Sequence, residues 1–133
     1  MIEATIEKLI AMKLSGMAEG LKEQMNNHAY KDLSFEERLG ILVDSEKLSR
    51  ENRQLKILLS HAHLRHQNAC FEDIDFRTRR GLSKDVILKL SQSEWIRSHQ
   101  NVIIVGPTGS GKTYIACALG NSAVRYGIRT MYV

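Results

Sequence analysis

Gly106-Pro107-Thr108-Gly109-Ser110-Gly111-Lys112-Thr113 is the stretch whose reading decides the fold. It satisfies G-x-x-x-x-G-K-[ST], the Walker A pattern, at every fixed position. Val102-Ile103-Ile104-Val105 stands directly before it, a short β-branched run that reads as a buried parallel strand. Ile115, Ala116, Leu119 and Ala123 follow at spacings that share one helical face, and Gly127 is placed to stop that helix. Strand, glycine-rich loop and helix in this order make a phosphate site. Glycines let the backbone close around phosphate oxygens with its N–H groups turned inward, and the helix N-terminus adds partial positive charge at the same point. In such a loop Lys112 reaches the β- and γ-phosphates, and the Thr113 hydroxyl holds Mg2+. The whole segment Gly106, Pro107, Thr108, Gly109, Ser110, Gly111, Lys112 and Thr113 is therefore the candidate nucleotide site.

Outward from the loop, the 133-residue chain has a globular composition, with 43% hydrophobic and 26% charged residues and one proline. No apolar run approaches the ~18 residues that a membrane-spanning helix needs. Met1-Ile2-Glu3-Ala4-Thr5 carries an acid early and no continuous apolar core, unlike a signal peptide. Cys70 and Cys117 form no C-x-x-C and suit a reducing cytoplasm as small buried or half-buried residues. The net charge of +4 is uneven. Residues 1–46 hold five Lys/Arg against nine Asp/Glu, residues 47–66 five against one, and residues 67–133 nine against five. A basic middle and end favour a polyanionic partner without establishing one.

Before the loop the pattern is helical. Ile2, Ile6, Leu9 and Ile10 mark a first amphipathic helix that Leu14-Ser15-Gly16 interrupts. Ser15 is placed to cap a second, with Met17, Leu21 and Met25 on one side as a core row or an adaptable partner surface, and Asn26-Asn27-His28 at its end. Ser34-Phe35-Glu36-Glu37 is a capping box, opening a long helix to about Arg65. Ile41, Leu48, Leu55 and Ala62 recur along it every seven residues, a narrow stripe that calls for a partner helix or chain. Lys47, Arg50, Arg53 and Lys56 are spaced by three and could track a phosphate backbone or form a solvated face. Ile41-Leu42-Val43-Asp44-Ser45-Glu46 imitates a second nucleotide motif, but it lies inside the capped helix, where no strand tip can present its acids to Mg2+. His61, His63 and His66 cluster without an acid or cysteine to complete a metal site.

Phe71 to Phe76 alternates apolar and acidic residues and reads as extended; Arg77-Thr78-Arg79-Arg80-Gly81 reads as a basic loop. Ser83 is placed to cap a helix carrying Val86, Ile87, Leu90, Trp95 and Ile96. Arg129-Thr130-Met131-Tyr132-Val133 reads as a second strand. The expectation is an α-helical N-terminal domain, residues 1–69, followed by the start of an α/β P-loop domain, residues 70–133, truncated after its second strand. Strands without neighbours leave 102–105 with open edges, so the helical half should be the better ordered.

Leu14-Ser15-Gly16-Met17-Ala18-Glu19, Leu33 through Leu39, Arg50-Glu51-Asn52-Arg53, Phe71 through Phe76 and Asn101 through Thr113 together resemble the IstB-like ATP-binding proteins. These are transposition-helper ATPases of insertion sequences, related to the DnaC helicase loader within the AAA+ group. The resemblance runs in order from the first helix to Val133. It implies ATP and Mg2+ as cofactors, duplex DNA and a transposase as partners, a homo-oligomer at full length, and no membrane. It places the segment from Ile74 to Leu82 near the adenine. The family's catalytic acid, sensor and arginine finger have no counterparts here, which leaves hydrolysis by this chain unassigned. A helicase loader whose helices grip a helicase, and a non-hydrolysing helical interaction module, remain the competing readings.

Overall fold

The Ser34 capping box forms as its residues dictate. The Glu37 amide donates to Ser34 Oγ at 3.1 Å, and the Ser34 amide donates to Glu37 Oε2 at 2.9 Å. In the computed structural model, which describes residues 1–77 and 81–133, these bonds start the longest helix. The helices are α1 (Ile2–Ala11), α2 (Ser15–Asn26), α3 (Phe35–Ala62), α4 (Lys84–Ser91), α5 (Glu94–Arg97) and α6 (Lys112–Arg125), with 3-10 turns at His28–Tyr30 and Phe71–Asp73. The chain divides into two compact units, Met1–Gln54 and Leu55–Val133, with the division inside α3. No helix among the described residues is long and apolar enough to cross a membrane.

In the first unit α1 ends at Met12, and Lys13 takes the left-handed conformation at φ +62. The Lys13 amide bonds Ile10 O and the Leu14 amide bonds Leu9 O, at 2.9 and 2.8 Å. That is a Schellman ending with lysine in the position glycine usually takes. Ser15 does not cap α2: Leu14 occupies the cap position and offers no side-chain acceptor. The acceptor comes from α3, where Glu46 Oε1 takes the Gly16 amide at 3.3 Å. Ser15 Oγ accepts from Arg53 instead, at 3.2 Å.

The buried residues of α2 are Gly16, Ala18 and Gly20, while Met17 and Leu21 are half-buried and Met25 is exposed. Thus the methionine row is not the core row. Close approach explains the difference. A Cβ on Gly16 would lie 2.7 Å from Ser45 O and 2.8 Å from Glu46 Cα, and one on Gly20 would lie 3.1 Å from Leu42 Cδ2. Two helix backbones this near leave no room for long side chains between them. The sevenfold stripe on α3 is likewise divided: Ile41 and Leu55 are half-buried, Leu48 is 58% exposed, and only Ala62 is fully buried. The helix reading of residues 41–46 holds.

In the second unit Ala62, Leu64, Ala69, Cys117, Ala118 and Val124 form the core, with Leu55, Leu58, Leu59, Phe71, Tyr114 and Tyr132 packed around it. Helix α3 stops at Ala62, short of Arg65, as His63 turns left-handed at φ +51. Phe71–Asp73 is a 3-10 turn, and the extended conformation begins only at Ile74. The Cys70 thiol donates to Asp73 Oδ2 at 3.1 Å, and that carboxylate, with burial second, pushes the thiol up from its ordinary value. Ser83 sits at the N-cap of α4 without a side-chain bond. Ser93 at φ +59 then separates α4 from α5, so Trp95 and Ile96 belong to a second short helix. Thr78, Arg79 and Arg80 of the basic loop, and with them part of the segment from Ile74 to Leu82, lie outside the described residues.

The two expected strands are the main correction. No strand is formed among the described residues. Residues 102–105 and 129–133 keep the period-two alternation of half-buried and exposed side chains, with Ile103 and Val105 each 85% exposed. A strand exists only through its ladder, and no described segment pairs with either run. The Tyr132 amide instead donates to Ala62 O at 2.8 Å, covering a carbonyl that the end of α3 leaves without a helical partner. The fold described is helical, and the α/β part of the expectation is not formed.

Candidate functional site

The loop before α6 owes its shape to two left-handed glycines. Gly109 stands at φ +82 and Gly111 at φ +97, conformations a side chain would strain. Between them the Ser110 amide closes a turn onto Pro107 O at 3.2 Å. Gly111 is the N-cap of α6 and supplies no side-chain acceptor, and the first turn carries no acid. The helix therefore presents its leading N–H groups, with their partial positive charge, to whatever occupies the loop. A Cβ on Gly106 would lie 2.9 Å from Ser110 Oγ and would turn that hydroxyl aside.

Lys112 threads back through this loop. Its Nζ donates to Gly106 O at 2.6 Å and to Pro107 O at 2.9 Å. The cation is thus held against the backbone of its own loop by two carbonyls. Thr113 follows, half-buried, with no hydrogen bond to its hydroxyl among the described residues. Gly106 through Thr113 are brought together as one loop. The donor set fits a nucleotide polyphosphate: helix N–H groups and one ammonium point inward, with a hydroxyl beside them for a cation.

What fixes the loop is the anchoring of α6. Tyr114, Cys117 and Asn121 lie at i, i+3 and i+7, on one face, and all bond the backbone of residues 66–70. Tyr114 Oη accepts from the Cys70 amide at 3.3 Å, and Cys117 Sγ accepts from the His66 amide at 3.5 Å. Asn121 Nδ2 donates to Ala69 O at 2.9 Å and to Gln67 O at 3.3 Å. On another face Ser122 Oγ donates to Ser91 O at 2.6 Å, and Arg97 lies over the Tyr126 ring at 5.7 Å. The far end closes in a Schellman turn, with the Ile128 amide on Ala123 O at 3.0 Å and Gly127 at φ +78. Sequence reasoning passed over Tyr114 and Asn121. Their signal was polar atoms placed inside an otherwise apolar helical face.

The basic row on α3 is not brought onto one face. Each step of three residues turns the helix by 300°, so Lys47 and Lys56 point about 180° apart. Lys47 Nζ lies 3.9 Å from Glu51 Oε1, Arg50 Nε lies 3.8 Å from Glu46 Oε2, and Arg53 bonds Ser15. Lys56 alone of the four lacks such a partner among the described residues and borders a cavity instead. Glu46, 6% exposed, was dismissed with the false nucleotide motif, yet it is the buried acid that caps α2. His61, His63 and His66 are all exposed, with His66 tilted against Tyr114 at 6.0 Å between ring centroids.

A glycine loop closing on a lysine at a helix N-terminus has the donor chemistry that suits a polyphosphate. The comparison with known families narrows this. The family described as IstB-like ATP binding protein matches residues 7–133, and the chain belongs to it. Over all 133 residues it is 42% identical to a protein of Pseudomonas fluorescens named for insertion sequence IS1162 and ATP binding, covering 58% of that protein. Over 128 residues, 96% of this chain, it is 42% identical to the insertion-sequence ATP-binding protein named y4pL of Sinorhizobium fredii, covering 52% of it. It is 32% identical over 132 residues, 99% of its length, to a protein of Pseudomonas aeruginosa named for insertion sequence IS21 and ATP binding, covering 48% of it. The chain thus spans about half the length of the relatives it matches.

Proposed function

We propose that this chain binds ATP with Mg2+ through residues 106–113 and serves as a helper of DNA transposition in the cytoplasm, acting on duplex DNA together with a transposase. The observation that carries the reading is the Lys112 side chain held inside its own glycine loop at the head of α6. The family and the names of its insertion-sequence relatives support ATP as the nucleotide and transposition as the setting. Gly106, Gly109 and Gly111 would let the backbone close on the phosphates, with Pro107, Thr108 and Ser110 completing the wrap. The Lys112 ammonium would exchange the Gly106 and Pro107 carbonyls for the β- and γ-phosphates, and Thr113 would hold the cation. What this chain contributes is binding and orientation; homo-oligomerisation belongs to the full-length protein.

The test is titration with Mg-ATP, followed by a fluorescent ATP analogue. Replacing Lys112 with Ala should weaken binding at least tenfold, about 1.4 kcal/mol. Equal affinity for the two chains would refute the site.

A further inference from the structure

Residues 52–71 contain no Asp or Glu, and they include Arg53, Lys56 and Arg65 as well as His61, His63 and His66. The structure gives this stretch a shape. A cavity of ≈ 510 Å3 runs along the last turns of α3 and the chain beyond it, bordered by Lys56, Ser60, His63, Gln67 and Asn68 over the buried side chain of Leu64. Lys56 and Ser60, at i and i+4, lie on one face of α3, and His63 follows just past its end on the rim of the same cavity. A second cavity of ≈ 290 Å3 adjoins at His63 and is bordered by His61, Arg129 and Thr130. All five rim side chains of the first cavity are exposed, and each carries a hydrogen-bond donor. Among the described residues, neither Lys56 nor Arg129 makes an ion pair or side-chain hydrogen bond within the chain.

From this placement we infer that the two cavities flanking His63 form one groove that binds the sugar-phosphate backbone of duplex DNA, with Lys56 and Arg129 as its charged contacts. The inference rests on the DNA-helper reading above but puts the contact on the second unit and does not use Lys47, Arg50 and Arg53, which have partners within the first. The donor chemistry is that of backbone binding: cations for charge, with hydroxyl, amide and imidazole donors between them for phosphate oxygens. The end of α3 would oppose this through its carbonyl charge, but the Tyr132 amide covers Ala62 O at 2.8 Å. Apolar depth under a polar rim also suits a ribose edge better than a bare surface lysine would. A second copy of the chain is the competing occupant, because residues 1–46 carry a net charge of −4.

The experiment measures binding of a 30-base-pair duplex of arbitrary sequence by fluorescence anisotropy across a range of salt concentrations, using the full chain. Three proteins are compared: wild type, the double variant Lys56→Gln/Arg129→Gln, and the control Lys84→Gln/Lys89→Gln on α4. Each lost phosphate contact should flatten the slope of log affinity against log salt by about 0.9, so the groove variant should flatten it by about 1.8 and bind roughly 60-fold more weakly at 0.1 M salt. The control should match wild type, and circular dichroism should show all three equally folded. An unchanged slope in the groove variant, or an equal loss in the control, would overturn the groove while leaving DNA binding intact. No binding by wild type would overturn both the groove and the DNA-helper reading. Self-association of wild type in sedimentation without DNA, abolished in the groove variant, would assign the groove to a second copy and overturn the inference. The Mg-ATP titration is independent of all of these.

Discussion

Gly16 sets the spacing of the first unit, and replacing it with Ala tests that directly. An added Cβ would stand 2.7 Å from Ser45 O, 2.8 Å from Glu46 Cα and 2.8 Å from Ser49 Cβ. Two of these are backbone atoms of α3, which cannot rotate away. Helix α2 must therefore move outward by roughly half an ångström to an ångström to restore ordinary contact, and overpacking of this kind costs about 1–3 kcal/mol. The same movement stretches the bond from the Gly16 amide to Glu46 Oε1, already 3.3 Å, and losing a bond to a charged acceptor costs about 1.5–3 kcal/mol. Alanine's helix propensity returns about 1 kcal/mol. The balance is a loss of about 2–4 kcal/mol, which for a urea dependence of about 2 kcal/mol per molar lowers the midpoint by about 1–2 M. Urea unfolding followed by far-ultraviolet circular dichroism reads this. Glu46→Gln is the companion variant: it keeps the acceptor but not the charge and should lose about 1 kcal/mol. If Gly16→Ala proves more stable than wild type, helix propensity has won, and the close α2–α3 approach described here is wrong.

Lys13→Gly should stabilise the first unit by about 0.5–1 kcal/mol, because lysine is strained at φ +62 and its side chain is exposed; the urea midpoint should rise, and a fall would contradict the Schellman ending of α1. Asn121→Ala removes both side-chain bonds to the carbonyls of Gln67 and Ala69 and should cost about 2–3 kcal/mol. Faster hydrogen exchange at the His66 and Cys70 amides should accompany that loss, and unchanged exchange would show that α6 does not hold this connector. With Lys112→Ala, stability should change little while Mg-ATP binding falls, which separates the ligand role of the lysine from its bonds to Gly106 and Pro107.

Local chemistry was legible without coordinates. The Ser34–Glu37 box, the stop at Gly127 and the left-handed glycines of the loop each depend on residues within a few positions of one another, and the chain satisfies them in place. The same is true of α6, whose apolar spacing and leading G-K-T need only a helix to be read. The structure decided what depends on partners distant in sequence. Ser15 has the right chemistry for a cap, but the cap of α2 came from Glu46, because Gly16 and Gly20, one turn apart, let α3 approach that helix end closely. The row Lys47, Arg50, Arg53 and Lys56 winds around α3 as its spacing implies; Lys47 and Arg50 meet acids one turn away on the same helix, Glu51 and Glu46, and only the bond from Arg53 to Ser15 needed a distant segment. Residues 102–105 and 129–133 carry strand composition, yet composition supplies no hydrogen bonds, and a strand requires a neighbouring backbone that no described segment provides. Sequence by itself determined the Ser34–Glu37 cap, the stop at Gly127 and the glycine turn before α6, because their energies are short-range; tertiary structure alone decided which faces are buried and which backbone is laddered, because those energies belong to contacts between segments.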